Sequence, residues 1–398
     1  MSAAIDQELK AAFEMASEFV QPPADLTESV RTATRRHRRR MAVAVSAATA
    51  VVLVAAGSSY LATGMRQSGP EASRARPWHA ITLPPGYQAQ QLALDGRYLY
   101  VLAGEAGASY TLTAYSRASG QLIRSVPVPA GPAALVVGPG GFVWLSFYPD
   151  PGKSTGTWLL SPNLRLRSSY PSVAESPIVP VGRTTAFAVT QYGLVTFHMP
   201  LPGQSGRASQ HLDPGTSVGP ARNTAPGVWA GLLGGRVVAQ VTDGDGFHSH
   251  LVIAGQPGRT FGGAQQRQAG SVASTGSSLW VELFAVKDHN AAQSGPLVRL
   301  NPQLRATTPA AIQHSSMFAR TENVWSSGDT VWVATAATGH ALVCFASGTQ
   351  PGPVITVRAR GSVAALAATA KTVYLTTTPP HSYDNSVITS YPVPTACR

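Results

Sequence analysis

A repeating unit of about 46 residues runs through residues 78–398, and it constrains the fold more than any other feature of the chain. Each copy contains a short apolar strand, a turn that usually carries glycine, and a second apolar strand. The turns of successive copies are anchored at Gly96, Gly140, Gly182, Gly234, Gly276, Gly328 and Ala370. Self-similarity at a period of roughly 20–50 residues is typical of proteins that stack one supersecondary unit many times.

Most copies carry an aromatic residue four positions after the anchor of the turn. The residues at this offset are Tyr100, Trp144, Ala186, Val238, Trp280, Trp332 and Tyr374. Because these aromatic residues lie in the middle of strands, we expect them to pack between neighbouring units and not to form platforms for sugars.

A third strand and, in most copies, a fourth strand follow each anchored pair, for example Leu112 in the first copy and Val354–Val357 near the end of the sixth. Four short strands per unit of about 46 residues predict the blades of an all-β, seven-bladed β-propeller. Six or eight blades remain alternatives, since the third and fourth copies are the faintest. The stretch Trp78–Leu83 is a spare strand, which we expect to complete the last blade and so remove two open sheet edges.

The units with Gly-x-x-x-Trp, at Gly140, Gly276 and Gly328, resemble the blades of a broad superfamily of bacterial propellers. The YVTN, NHL, WD-repeat-like and virginiamycin B lyase-like groups all look similar at this level. The resemblance covers about 80% of the chain and implies the fold, whereas function varies widely on this fold. The motif residues of the lyase group are not matched residue by residue in this sequence, so the resemblance assigns no catalytic residue. The excess of Arg over Lys, with abundant Ala, resembles actinobacterial coding style.

The region before the repeats has the layout of a membrane anchor. Residues 1–40 form a tail that ends in a basic block, Arg35, Arg36, Arg38, Arg39 and Arg40. Residues 41–65 carry no charge, and a helix of about 20 apolar residues spans a bilayer. Basic residues stay cytoplasmic, which predicts a cytoplasmic N-terminus, a single span at 41–65, a linker at 66–77 and an extracytoplasmic propeller at 78–398.

A cleaved signal peptide and a twin-arginine signal are the alternatives to this uncleaved signal-anchor, although the tail is long for an ordinary signal. Within the tail, Ile5, Leu9 and Phe13 recur at helical spacing, and Pro22–Pro23 ends the pattern. Such an amphipathic helix predicts either docking of a cytoplasmic partner protein or a half-ordered lead into the anchor.

Histidines and aspartates gather in the connections at one end of the predicted strands. The candidates for a ligand-binding face are His248, His250, His289, His314, His340, His381, Asp243, Asp245, Asp288 and Asp384. Imidazole and carboxylate groups bind ligands and metals, whereas polar loops also collect polar residues for solubility alone. We predict a ligand face here, with no metal, no cofactor and no catalytic residue assigned.

The two cysteines, Cys344 and Cys397, fall in neighbouring predicted blades, where they either form a disulfide or leave Cys344 as a small buried residue. Of the net charge of +11, residues 78–398 contribute +8, from 20 Lys+Arg and 12 Asp+Glu that are scattered among the blades without a basic stripe, so we expect no nucleic-acid partner. The sequence therefore predicts a non-catalytic propeller that binds a protein or an anionic cell-envelope polymer. The alternatives are a cell-surface lyase or hydrolase that uses the histidine-bearing face, and an envelope scaffold without a small ligand.

Overall fold

The computed structural model describes most of the repeat region. The described residues are 80–105, 110–128, 132–147, 156–170, 178–190, 193–198, 209–213, 224–243, 249–262, 268–287, 291–335, 341–345, 354–356, 361–378 and 386–397. The predicted tail with its arginine block, the predicted span and the linker all lie outside these residues. Within the described part of the chain, no helix is long and apolar enough to cross a membrane.

The described strands form seven separate antiparallel sheets, which are the blades of the propeller. The first four blades have four strands each, and every strand pairs with the next one along the chain. Blade 1 contains β2 (Tyr87–Leu94), β3 (Tyr98–Glu105), β4 (Tyr110–Ser116) and β5 (Leu122–Val128). Blade 2 contains β6 (Pro132–Val137), β7 (Val143–Phe147), β8 (Thr157–Leu160) and β9 (Leu166–Tyr170). Blade 3 contains β10 (Ile178–Pro180), β11 (Thr185–Thr190), β12 (Gly193–His198) and β13 (Ser209–Asp213). Blade 4 contains β14 (Thr224–Leu233), β15 (Arg236–Asp243), β16 (Ser249–Ile253) and β17 (Gln256–Gly262).

The last three blades include the strand that closes the ring. Blade 5 contains β18 (Gln268–Ser274), β19 (Leu279–Lys287) and β20 (Ala291–Leu300). Blade 6 contains β21 (Thr321–Ser327), β22 (Thr330–Thr335), β23 (Ala341–Phe345) and β24 (Val354–Thr356). Blade 7 contains β25 (Ser362–Ala368), β26 (Thr372–Thr378), β27 (Val387–Pro392) and, as its outermost strand, β1 (Ala80–Thr82).

The ends of the repeat region meet in blade 7, as the sequence predicted. Ala80 lies opposite Thr389, and Thr82 lies opposite Val387, in the antiparallel pair of β1 and β27. The first strands of successive blades contact each other in turn, and β25 of blade 7 contacts β2 of blade 1. The seven sheets therefore form a closed ring, which confirms the prediction of a seven-bladed propeller.

The second strand of each blade is the centre of the core. In β7, all five residues of Val143–Phe147 are buried, because a neighbouring blade covers each face of the sheet. A strand with both faces covered has a continuous apolar sequence instead of an alternating one. The outermost strand β5 is mostly exposed by contrast, and its Leu122 is 59% accessible to solvent.

The recurring aromatic residues fill the interfaces between blades, as predicted. Trp144 packs against Phe197 of blade 3, with ring centroids 6.0 Å apart. Trp280 stacks on Phe345 of blade 6 at 5.1 Å, and both rings are fully buried. These two tryptophans thus insert into the next blade and provide apolar contact for both sheets.

Blade 3 departs from the predicted offset by one residue. Ala186, four positions after Gly182, faces back towards Trp144 of blade 2. Phe187 packs instead against the apolar cluster that joins blades 3 and 4. The register explains the shift, since Pro180 pairs with Ala186 and Val179 pairs with Phe187 across a turn one residue longer than that of blade 1. An aromatic residue therefore faces the next blade here too, and counting from the glycine missed it.

Blade 5 lacks the fourth strand that the repeat predicted, among its described residues. After β20 the chain turns back, and Ala306 forms a single bridge with Leu300. Pro309 then follows and has no N–H group to extend a ladder. The chain forms a short helix, α1 (Ala310–Gln313), and a 3-10 segment at Ser316–Arg320. Phe318 of this segment packs on Phe345 at 5.3 Å, so the segment seals the interface between blades 5 and 6.

Candidate functional site

The antiparallel blades give the propeller two different ends. We call the end with the connections between second and third strands, and between blades, the loop face. We call the opposite end, which carries the turns between first and second strands and between third and fourth strands, the turn face. The predicted ligand residues belong largely to connections of the loop face, so their placement tests whether a site forms there.

The structure describes the side chains of two of the ten predicted ligand residues. His250 is the second residue of β16, half-buried, and lies opposite Val241 and Gly262 in the sheet. His314 caps the C-terminal end of α1 and is exposed. The backbone of Asp243 ends β15, while His248, His289, His340, His381, Asp245, Asp288 and Asp384 lie outside the described residues. Among the residues that the structure describes, no three His, Cys, Asp or Glu side chains form a group that could hold a metal ion.

The two cysteines, Cys344 and Cys397, are joined in a disulfide. Cys344 is on β23 of blade 6, and Cys397 ends the 3-10 segment Thr395–Cys397 that follows β27. Their Cα atoms are 5.8 Å apart, and both residues are buried. The bond therefore ties the C-terminal end of the closing blade to the blade before it.

A β-bulge recurs in the first strand of the blades. The register of the first and second strands shifts between Ala89 and Gln91 in blade 1, between Ala269 and Val272 in blade 5, and between Thr321 and Asn323 in blade 6. A bulge leaves backbone groups outside the ladder, where side chains have to satisfy them.

Polar side chains next to these bulges connect neighbouring blades. The Leu135 N–H of blade 2 donates to Gln91 Oε1 of blade 1 at 2.7 Å. Ser271 Oγ of blade 5 accepts from the Val324 N–H of blade 6 at 2.9 Å. Gln240 Nε2 of blade 4 donates to the carbonyl oxygen of Ala269 in blade 5 at 2.7 Å. The inner strands are thus joined by hydrogen bonds as well as by apolar contact.

A buried carboxyl group lies in this inner polar layer. Glu282 is in the middle of β19, and its side chain is only 8% exposed. The Ser271 N–H, at the bulge of the adjacent strand, donates to Glu282 Oε2 at 3.2 Å. Loss of solvation raises the pKa of Glu282 to about 8; the hydrogen bond from Ser271 opposes this rise, and the negative charge of Glu322 adds to it. Around neutral pH this carboxyl group is therefore largely protonated and able to donate a hydrogen bond.

Sequence reasoning missed Glu282, although a signal was present. It is the only charged residue in the apolar run Leu279–Val286 of a second strand. Ser146, Gln240 and Thr376 occupy the same position, six residues after the anchor, in other blades, and all three are buried. A polar residue at this offset therefore marks the inner layer that faces the next blade.

A second hydrogen-bond network joins blades 1 and 2 at the turn face. Asp95 Oδ1 accepts from the N–H groups of Arg97 and Tyr98, both at 2.6 Å. The Tyr100 hydroxyl donates to Asp95 Oδ2 at 2.7 Å and lies 2.9 Å from the carbonyl oxygen of Pro162 in blade 2. Burial, followed by the hydrogen bond to Asp95, raises the pKa of Tyr100 far above its ordinary value. Both groups thus have a structural role, in fixing the turn of one blade against the next.

Comparison with protein-family models and with curated protein sequences finds no match. Among solved structures, the chain is similar to the β-propeller domain of Cps50 (Swd1) from Myceliophteria thermophila, at 11% identity, with a TM-score of 0.46 and coverage of 79% of this chain and 100% of that one. It is also similar to a catalytically inactive virginiamycin B lyase from Staphylococcus aureus, at 8% identity, with a TM-score of 0.45 and coverage of 79% and 99%.

The chain is similar, thirdly, to a solved structure from a study of two prolyl endopeptidases, at 13% identity, with a TM-score of 0.49 and coverage of 75% of this chain and 46% of that one. The chain thus spans about half the length of that protein. The structures that it resembles include β-propellers, and at these identities the likeness concerns the fold alone.

Proposed function

We propose that the chain is a single-pass membrane protein with a cytoplasmic N-terminus, whose propeller lies outside the membrane and binds a protein or cell-envelope ligand without catalysis. The order of segments along the chain carries this proposal. The arginine block 35–40 is followed directly by the uncharged residues 41–65, and only 14 residues separate that segment from β1 of the propeller, which begins at Ala80. Basic residues beside an apolar span are retained on the cytoplasmic side.

The disulfide supports the same placement of the propeller. Disulfides persist in oxidising compartments outside the cytoplasm, and Cys344 and Cys397 are bonded to each other. The tail of residues 1–40 carries no cysteine and has a helical apolar pattern suited to a cytoplasmic partner protein.

The closed ring supports a role in binding. Inter-blade packing and hydrogen bonds fix the strands, so the connections of the loop face are held at the end of a rigid body. Loops on a rigid scaffold are the usual location of binding residues, and these connections carry most of the predicted histidines and aspartates.

Protease treatment of intact cells tests the placement. With one epitope tag before Ser2 and another after Arg398, we expect the C-terminal tag to be lost and the N-terminal tag to survive until the membrane is opened. Because the protease cannot cross the membrane, the two tags differ in this way only if residues 41–65 stay in the bilayer. Loss of the N-terminal tag from intact cells, or protection of the C-terminal tag, would contradict the proposal.

A photo-crosslinking residue tests the binding role in the same cells. Placed at His289, in the connection between β19 and β20, it is expected to give a discrete adduct of higher mass. The matched control position is Leu122, which is exposed on the outer strand of blade 1. Absence of an adduct at His289, or an equal pattern of adducts at Leu122, would count against a ligand at the loop face.

A further inference from the structure

The turn face brings basic side chains from most blades to one end of the propeller. Six blades place an exposed Arg or Lys in or beside one of these turns: Arg97, Arg165, Arg183, Arg236, Arg305 and Lys371. Blade 6, the exception among the described turns, has Asp329 there. Basic side chains from six of the seven blades give this end of the propeller an excess of positive charge, which attracts negatively charged partners.

Contacts between turns hold this surface together. Arg117 Nη1, from the turn after β4, donates to the carbonyl oxygen of Asp95 at 2.7 Å, so the two turns of blade 1 touch. The side chain of Arg183 in blade 3 lies beside Gly140 in the turn of blade 2, where a Cβ atom would be 3.3 Å from Arg183 Cγ. Asp95, the other carboxylate described at this face, is already engaged by two N–H groups and the Tyr100 hydroxyl. Together with Asp329, it gives two carboxylates described at this face, against seven basic side chains when Arg117 is included.

The loop face has no such excess of positive charge. The chain order places acidic residues in or beside its connections at Glu105, Asp150, Glu175, Asp213, Asp243, Asp245, Asp288 and Asp384. It places basic residues there at Lys153, Arg222, Arg267, Lys287, Arg320, Arg358 and Arg360. The two ends of the propeller thus differ in charge, although the sequence scatters its basic residues evenly.

The chain enters the propeller from the turn face. β1 runs antiparallel to β27, and the Leu83 N–H donates to the carbonyl oxygen of Ser386, beside the loop face, at 2.8 Å. The start of β1, at Ala80, therefore points towards the turn face, where β27 ends. Residues 66–79 span at most about 50 Å when fully extended. The tether from the proposed membrane span thus begins at the positive end of the propeller.

We propose that the turn face lies against the membrane surface and binds anionic lipid headgroups. This orientation rests on the proposed anchor, and it has two independent supports, the charge of the face and the point where the chain enters. Arginine and lysine side chains bind lipid phosphates through charge-assisted hydrogen bonds, and the attraction acts within a Debye length of about 10 Å. The loop face then points away from the membrane, where an outside ligand can reach it.

Energy transfer to labelled lipid headgroups tests this orientation on the full chain in vesicles. A donor dye is attached through Asp329→Cys on the turn face or Glu105→Cys at the loop face, and each substitution removes one exposed carboxylate. In vesicles of phosphatidylcholine with 30% phosphatidylglycerol, we expect at least twofold more transfer from position 329 than from position 105. In pure phosphatidylcholine, or at high salt, this difference should shrink. Equal transfer from both positions, or no dependence on phosphatidylglycerol, would overturn the orientation.

Two variants that each lose six positive charges distinguish a contact made by the turn face from a general effect of the net charge. The first replaces the six basic residues of the turn face by glutamine: R97Q, R165Q, R183Q, R236Q, R305Q and K371Q. The second does the same at the loop face: K153Q, R222Q, R267Q, R320Q, R358Q and R360Q. We expect the first variant to lose most of the phosphatidylglycerol-dependent transfer and the second to keep it. Equal loss in both variants would overturn the proposal, as would equal transfer when a soluble phosphate polymer replaces the anionic lipid.

Extraction of the vesicles with alkaline carbonate distinguishes failure of the orientation from failure of the anchor. A chain released by carbonate would overturn the anchor and, with it, the orientation. A chain that stays in the bilayer but lacks the headgroup contact would overturn the orientation alone.

Discussion

Replacing Glu282 by glutamine is expected to stabilise the protein at pH 8 and to change its stability little at pH 5. The pKa of Glu282 is raised to about 8 in the folded chain, from an ordinary value of 4.5. The folded state therefore holds a proton that the unfolded state releases, and the stability of the wild type falls as the pH rises from about 4.5 towards 8. Over this window the loss is about 4 kcal/mol. Glutamine keeps the size of the side chain and its acceptor for the Ser271 N–H, without the ionisation.

Thermal or urea unfolding between pH 5 and pH 8 measures this effect. The quantity of interest is the difference between the wild type and E282Q, because the other titrating groups cancel in it. Glu105→Gln, at an exposed residue, is the matched control and should follow the wild-type profile. Parallel profiles for the wild type and E282Q would show that burial does not shift the pKa of Glu282.

Removing the disulfide is expected to lower the free energy of unfolding by about 2–4 kcal/mol. The bond closes a loop with a sequence separation of 53, which restricts the unfolded chain. It also fixes the segment after β27, the strand that holds β1, so opening of blade 7 should become easier. Alanine is the suitable replacement at both positions, because Cys344 and Cys397 are buried. A serine hydroxyl there would have no water to hydrogen-bond with and would add a separate destabilising effect.

Urea unfolding of C344A/C397A, with and without a reducing agent, measures the contribution of the disulfide. Reduction should destabilise the wild type by an amount similar to that of the double substitution, and it should leave the variant unchanged. Hydrogen exchange should increase first in β1 and β27, and less in blade 3. A wild-type unfolding curve that is insensitive to reduction would contradict this role of the bond.

The fold could be predicted from the sequence because every blade repeats one set of packing demands. An aromatic residue in the middle of a second strand, as at Trp280, inserts into the next blade. This packing appears in the sequence as an aromatic residue four positions after the anchor of the turn. The closing strand was also predictable, since an unpaired β27 would leave an open sheet edge beside a spare apolar segment.

The departures from the repeat have local causes that the period does not contain. Phe187 comes one residue later because three residues separate Gly182 from the first paired residue, Ala186, whereas two residues follow the corresponding glycines of blades 1 and 2. The fourth strand of blade 5 is replaced because Pro309 cannot donate to a ladder and the residues after it form helical turns. Both changes depend on single residues in turns, where the repeat tolerates variation.

The site was less predictable than the fold. Loop residues such as His289 were grouped by chain order. Chain order shows at which end of a blade a residue lies, but it does not show whether side chains come together there. Glu282 was overlooked because an acidic residue in an apolar strand resembles an interruption of the pattern, although its position places it in the inner layer. The positive turn face was hidden for a similar reason, since Arg97 and Lys371 are far apart in sequence and share a face only after the ring closes.

The mass of the intact chain, recovered from membranes washed with alkaline carbonate, tests the central claim most directly. An uncleaved anchor predicts a membrane-bound chain that keeps residues 1–65, with a mass near 41.5 kDa apart from the initiator methionine. A chain that begins between Ala55 and Ala80, or that appears in the carbonate supernatant, would show that residues 41–65 are not a retained membrane span.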